Sequence, residues 1–195
     1  AYVQKAENSL KQKNKEVAIE SYNQALAYAK GKPEAIIKIN NEIAKVYASD
    51  NQFDKAIGIN EKLLAEAKTK QDFTTQIKQL QSLSVLYFKK EEPNKAITTL
   101  KEAYALALQK GNSAEAKKSL ISLTKYYNEK GNNMESLALY DQFLQNFDQL
   151  VQSDTTLIDA KTFQVSEDKI RQLEKEKSLK DELIKKKSIF NYFLI

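Results

Sequence analysis

The side chains that could do chemistry in this sequence are carboxylates, lysines and tyrosines, because its 195 residues include no His, no Cys and no Trp. A thiol nucleophile, a Ser-His-Asp relay and a typical zinc site are therefore excluded. With only 4 Gly, the chain carries no glycine-rich phosphate loop. The carboxylate pairs Glu91-Glu92 and Asp181-Glu182 are expected on loops or exposed helix faces, where carboxyl groups are not tuned for acid–base work. We therefore expect a non-catalytic chain that uses no metal and no cofactor.

Lysine dominates the charge of the chain. Of 31 basic residues, 30 are Lys and only Arg171 is Arg, and the formal net charge is +5. Arg makes the bidentate contacts that distinguish guanine, so its near absence argues against specific nucleic-acid binding. Lys38, Lys78 and Lys118 recur at a constant step of 40 residues. Such a row would bind an anionic partner if the elements that carry it repeat with the same period.

The elements that must position these lysines are predicted to be helices in a repeating series. The chain has 4 Gly and 2 Pro and is rich in Ala, Leu, Lys, Glu and Gln, which favours an all-α fold. An apolar–small–x–x–Tyr motif occurs three times at a 40-residue step, and a small residue follows nine positions after each Tyr. The three copies are Ile43-Ala44-x-x-Tyr47 with Ala56, Leu83-Ser84-x-x-Tyr87 with Ala96, and Leu123-Thr124-x-x-Tyr127 with Ser136. An earlier copy, with Ala18 and Tyr22, precedes these three at a step that is two positions shorter.

This pattern resembles the tetratricopeptide repeat (TPR), with longer helices than the usual 34-residue form. The resemblance implies a superhelix, an α-solenoid of about four 40-residue helical hairpins, followed by a long charged C-terminal helix. The expected TPR domain is 1–151, with repeats at about 1–31, 32–70, 71–110 and 111–151. The expected helices are 1–13, 15–30, 33–49, 52–70, 72–89, 93–110, 113–130 and 133–151.

Helix-end signals fit these limits. Pro33 and Pro93 stand at first-turn positions, and Asn112 with Glu115 forms a capping-box pattern. Three of the expected helix ends carry glycines, namely Gly31, Gly111 and Gly131. Gly58 is the one glycine that falls inside a helix. It either allows close packing or simply lowers helix stability by about 1 kcal/mol, which the fold tolerates.

The resemblance also implies a ligand surface on the concave side of the first helix of each hairpin. Carried over position by position, the candidate ligand-binding residues are Lys38, Asn41, Lys45, Lys78, Gln81, Lys89, Lys118 and Lys125. We expect this surface to take an acidic protein or peptide segment or a C-terminal carboxylate. The alternative is chance: a chain with 30 Lys forms rows easily, and Lys30, Lys70 and Lys110 form another row near helix ends, where Lys favours the helix dipole.

The C-terminal part has a different character. Residues 152–188 are predicted to be a charged linker or coiled-coil helix, with Phe163, Ile170 and Leu173 in heptad spacing. Two outcomes are open: pairing in a homodimer, or packing back on the last repeat as a cap. Residues 189–195 are mostly apolar and follow Lys185-Lys186-Lys187, which suits a membrane interface. They are too few to span a bilayer, so we expect the start of a truncated transmembrane segment.

This order of parts resembles the N-terminal sensor region of bacterial TPR-containing sensor histidine kinases. The resemblance implies the sensory input domain of a membrane-bound two-component protein, periplasmic on the inner membrane, with a kinase module following in the full-length chain. The alternatives are a stand-alone soluble TPR scaffold and a cytoplasmic peptide-pheromone-type regulator. The chain begins at Ala1 and not Met, so we expect a processed or trimmed piece.

Overall fold

A computed structural model describes residues 1–146, 171–172 and 174–180. These residues contain no strand. Eight helices lie within the first of these ranges: α1 Tyr2–Lys11, α2 Lys15–Tyr28, α3 Pro33–Ser49, α4 Phe53–Thr69, α5 Phe73–Lys89, α6 Pro93–Gln109, α7 Ser113–Glu129 and α8 Asn133–Gln145. The all-α prediction is confirmed, and from α3 to α7 the helix ends agree with the predicted ones to within one residue.

The helices repeat at half the period of the sequence motif, because each copy of the motif spans two helices. From α3 onward the helix starts are evenly spaced, and α3 to α7 are each 17 residues long. Each of these helices therefore spans about 25 Å. The first hairpin is shorter, with helices of 10 and 14 residues. This shortening explains why the first copy of the motif lies closer to the second than the later copies lie to one another.

The turns between helices share one backbone conformation. One residue in each turn has a positive φ: Lys13, Gly31, Asn51, Gln71, Glu91, Gly111 and Gly131, with φ values from 55° to 78°. In most of these turns the next backbone N–H reaches back to a carbonyl five positions earlier, as from Asp72 to Ala67 at 2.9 Å. This is the Schellman arrangement, and it leaves a helix end with satisfied carbonyls. The predicted roles of the three glycines as helix ends are confirmed.

The residue that completes such a turn often caps the next helix. Asp72 Oδ1 accepts from the backbone N–H of Thr75 at 3.0 Å, and Asn112 Oδ1 accepts from that of Glu115 at 3.3 Å. Pro33 and Pro93 are the first residues of α3 and α6, as predicted. Because a Cβ at Gly58 would meet nothing within 4 Å, close packing does not explain this glycine. Gly58 therefore lowers the stability of α4, and the fold tolerates this loss.

The last predicted helix ends early. α8 ends at Gln145, whereas 151 was predicted. Asn146 follows it in a turn, where its backbone N–H donates to Phe143 O at 3.2 Å and its Nδ2 donates to Gln142 O at 2.8 Å. Residues 147–151 lie outside the described residues.

The described helices belong to two compact units: unit 1, Ala1–Ala103, and unit 2, which begins at Tyr104. In unit 1, small residues allow close approach of helices, as Ala44 of α3 and Ala56 of α4 do in a cluster with Leu83 and Leu86 of α5. In unit 2, the buried Tyr104 hydroxyl donates to Leu139 O at 2.9 Å. Within each unit, neighbouring helices therefore bury side chains against one another.

The C-terminal predictions fall largely outside the described residues. Residues 171–172 and 174–180 are helical and exposed, including Leu179. The predicted transmembrane start at 189–195 and most of the charged segment at 152–188 lie beyond this part of the structure. Among the described residues, no helix combines the length and the apolar character needed to cross a membrane.

Candidate functional site

The candidate surface in unit 1 is built by α3 and α5, which lie side by side. Their apolar residues, such as Ile39 and Ile43 in α3 and Ile77 and Leu80 in α5, are buried. Lys38 of α3 and Lys78 of α5 are exposed, as expected for positions away from the apolar side of a helix. A hydrogen bond joins the two helices directly: Gln79 Nε2 of α5 donates to Asn41 Oδ1 of α3 at 3.1 Å.

Four of the predicted lysines lie in this unit, and all are exposed: Lys38, Lys45, Lys78 and Lys89. Lys45 pairs with Glu42, with 2.6 Å between Nζ and Oε1. Within the described residues, none of the other three has a carboxylate within ion-pair distance. We call these four lysines together with Asn41 the lysine face. Three of its four lysines are thus exposed without an ion pair among the described residues.

The two predicted amides differ in exposure. Asn41 is half-buried and reaches the surface, whereas Gln81 is 6% exposed. The Gln81 side chain therefore lies within the packed layer, away from a ligand on the lysine face. Sequence reasoning missed Gln79, which is 1% exposed and holds Asn41. Its partner is distant in the sequence and lies on another helix, so only the packing reveals that contact.

The remaining predicted lysines, Lys118 and Lys125, lie on α7 in unit 2. Both are exposed, and Lys118 lies 3.8 Å from Glu115. Ile121, between them on the helix, is 57% exposed. In unit 1, Val85 of α5 is likewise 54% exposed. Each unit thus combines exposed lysines with an exposed apolar side chain, a mixture suited to a peptide and not to a simple anion.

Carboxyl groups near these helices are held in the charged form. Hydrogen bonds from the Thr75 side chain and backbone keep the pKa of Asp72 below its ordinary value, and Lys78 acts in the same direction. A hydrogen bond from Lys15, with a further one from Gln52, lowers the pKa of Asp50. Both shifts move these carboxyl groups further from neutral pH. They are the shifts of ion-paired and capping residues, and not those of a poised acid or base.

The pKa values of two buried tyrosines are also shifted away from neutral pH. Burial raises the pKa of Tyr104, and burial together with the charges of Glu42 and Glu7 raises that of Tyr22. Among the described residues, no group of three or more metal-ligating side chains comes together. The exposed lysines and the Asn41 carboxamide can supply positive charge and hydrogen-bond donors.

The comparisons with known proteins bear on the fold. No family model matches the sequence, and no curated protein matches it either. Solved structures do match. A kinesin light chain-like protein of Podosopora anserina, with nearly identical TPR-like repeats, has a TM-score of 0.56 at 14% identity, over 90% of this chain and 94% of that one.

Two further solved structures are similar. The apo form of RapI has a TM-score of 0.58 at 16% identity, with 92% of this chain and 70% of that chain covered. A STAND protein with a tetratricopeptide repeat sensor from Pyrococcus horikoshii has a TM-score of 0.60 at 16% identity. The match covers 97% of this chain but only 32% of that protein. Together with the consecutive helical hairpins, these likenesses show that the chain has the TPR-like solenoid fold.

Proposed function

We propose that this chain is a TPR-like protein- or peptide-binding module whose ligand lies along the lysine face and carries carboxylates. The fold supports a role in protein interaction in general, since TPR-like repeats are commonly used for that purpose. The observation that carries the acidic preference is the exposure of Lys38, Lys78 and Lys89 without a carboxylate in ion-pair distance among the described residues. Positive charge of this kind attracts and orients an acidic partner.

Charge reversal tests the proposal. We expect Lys38→Glu with Lys78→Glu to weaken binding of a fluorescein-labelled hexaglutamate peptide by at least about tenfold, because two attractive charges become repulsive. The matched control is Lys30→Glu with Lys70→Glu, which makes the same change of net charge at exposed positions near helix ends. It should weaken binding less than about threefold. Equal losses in the two variants would mean that net charge alone attracts the peptide, and the lysine face would be rejected.

We further propose that the module is the sensory input domain of a membrane-bound signal-transduction protein of the sensor histidine kinase type, itself non-catalytic. The support is the order of parts in the sequence: repeats, a charged segment at 152–188 that ends in three lysines and a serine, and the mostly apolar residues 189–195. The periplasm is the compartment that this arrangement favours. A stand-alone scaffold and a cytoplasmic peptide-pheromone-type regulator are the competing functions.

The reading frame after Ile195 separates these functions. We expect at least about ten further apolar residues, enough to complete a span, followed by a kinase module. A stop codon directly after Ile195 would contradict the sensor role and favour the scaffold. A soluble output module with no apolar span before it would favour the cytoplasmic regulator.

A further inference from the structure

A buried amide lies directly behind the lysine face. Gln79 is 1% exposed, and its Nε2 donates to Asn41 Oδ1 at 3.1 Å, from α5 to α3. Its own Oε1 is buried and has no hydrogen-bond partner within the described residues. Burying an unsatisfied acceptor is unfavourable, so this side chain is not explained by stability alone.

The repeat itself does not require an amide at this position. The equivalent residues in the preceding and following copies of the motif are Ile39 and Ser119, and both are buried as well. An apolar or small side chain therefore fills the same place elsewhere in the stack. What distinguishes Gln79 is its contact with Asn41, a half-buried residue of the lysine face.

This contact determines what Asn41 offers a ligand. A carboxamide has one acceptor oxygen and one donor NH₂ group. Because the oxygen of Asn41 is turned toward Gln79, its NH₂ group lies at the other end of the carboxamide. The neighbouring Lys38 and Lys78 are donors only. With the NH₂ group of Asn41 toward a ligand, the lysine face presents mainly donors, which match carboxylates and peptide carbonyls.

We propose that Gln79 is a positioning residue that fixes the Asn41 carboxamide with its donor side toward the ligand, and so restricts the lysine face to carboxylate-bearing peptides. This inference rests on the proposed function, since it assigns a specificity element to the same surface. It adds a residue that does not touch the ligand and acts through Asn41.

A double-mutant cycle, with hexaglutamate as the ligand, tests whether Gln79 acts on binding through Asn41. Gln79→Met keeps the length of the side chain and removes the donor. We expect it to weaken binding about three- to tenfold, the effect of one misplaced hydrogen bond. In an Asn41→Ala background, the same substitution should change binding less than about 1.5-fold, because the residue that Gln79 positions is gone. An equal loss in both backgrounds, or no loss in either, would overturn the proposal.

A measurement on the unsubstituted chain supports this cycle without depending on folding of a variant. In ¹⁵N,¹³C-labelled protein, we expect a scalar coupling across the hydrogen bond between Gln79 Nε2 and Asn41 Cγ, and slow solvent exchange of the Gln79 NH₂ protons. Fast exchange and no coupling would overturn the positioning role. If Lys38→Glu with Lys78→Glu abolishes binding while Gln79→Met does not weaken it, the proposed function stands and this inference fails. If the unsubstituted chain does not bind hexaglutamate, both fail.

Discussion

Asn60 is a polar residue at a position where the neighbouring copies of the motif carry a large, mainly apolar side chain. It occupies the place in α4 that Tyr22 and Leu100 occupy in the neighbouring copies, where a large apolar side chain fills the space between helices. It is 3% exposed, and its Oδ1 has no hydrogen-bond partner within the described part of the chain. Such an oxygen loses its hydration and gains nothing in return.

We therefore expect Asn60→Leu to raise the free energy of unfolding by about 1–2 kcal/mol, because it removes an unsatisfied buried group and adds apolar contact. Urea denaturation followed by circular dichroism measures this. The reciprocal change, Leu100→Asn, should lower the free energy of unfolding by about 2–3 kcal/mol. A destabilised Asn60→Leu variant would show that the amide is satisfied in the folded protein.

Asp72 gives the chain a predictable response to acid. Hydrogen bonds from Thr75 lower the pKa of Asp72 in the folded state below its ordinary value of 3.8, so the unfolded chain binds its proton more readily. The stabilisation is present above the ordinary value and is lost as the pH falls through the folded pKa. We expect Asp72→Asn, which can still cap α5 but carries no charge, to lower the melting temperature at neutral pH and to reduce its fall below about pH 4. An unchanged acid slope would contradict this role.

At the scale of elements, a residue with a positive φ in each turn ends the preceding helix. Four of the residues with positive φ are not glycine: Lys13, Asn51, Gln71 and Glu91. A residue with a side chain is less stable in this left-handed region by about 1–2 kcal/mol. Glycine avoids this strain, but it also makes the unfolded chain more flexible, so only part of the energy is gained as stability. Asn tolerates the region better than the others.

Gln71→Gly and Glu91→Gly should therefore each raise the free energy of unfolding by about 0.5–1 kcal/mol. Asn51→Gly should have a smaller effect, and Gly111→Ala should be destabilising by about 1 kcal/mol. Chemical denaturation of the four single variants checks this order. Destabilisation by both Gln71→Gly and Glu91→Gly would show that their side chains contribute more than their backbone strain costs.

Comparison of these elements with the sequence shows what local chemistry can predict. Helix starts at Pro33 and Pro93 and ends at Gly111 and Gly131 were predictable, because these residues act through their own backbone. The equivalent turn at Gln71 carries no such residue, and only the even spacing of the helix starts reveals it. The exposure of the lysines followed from helical spacing. The burial of Gln81 and the contact of Gln79 with Asn41 depend on how α3 packs against α5, so no local pattern could show them.

At the scale of the whole molecule, pairing of two copies through the charged C-terminal segment remains a prediction, with packing back on the last repeat as the alternative. Its residues 174–180 are helical and exposed, and Leu179 is among them. The heptad spacing of Phe163, Ile170 and Leu173 favours pairing with a second copy.

We expect sedimentation equilibrium to show a homodimer that Ile170→Asp with Leu173→Asp converts to a monomer, since charge at heptad core positions disfavours pairing. Lys175→Asp, on the exposed side, should leave the dimer intact. A chain that is monomeric without substitution would contradict dimerisation through this segment.

The central claim is that an acidic peptide binds the lysine face of unit 1, and mapping its contacts by NMR tests this most directly. Hexaglutamate is titrated into ¹⁵N-labelled protein, and changes in the backbone and side-chain amide signals are followed. We predict that the largest changes cluster at Lys38, Asn41 and Lys78, with the signals of Lys30 and Lys70 little affected. Changes spread evenly over exposed lysines, or centred on the Lys30 and Lys70 ends of the hairpins, would contradict the account.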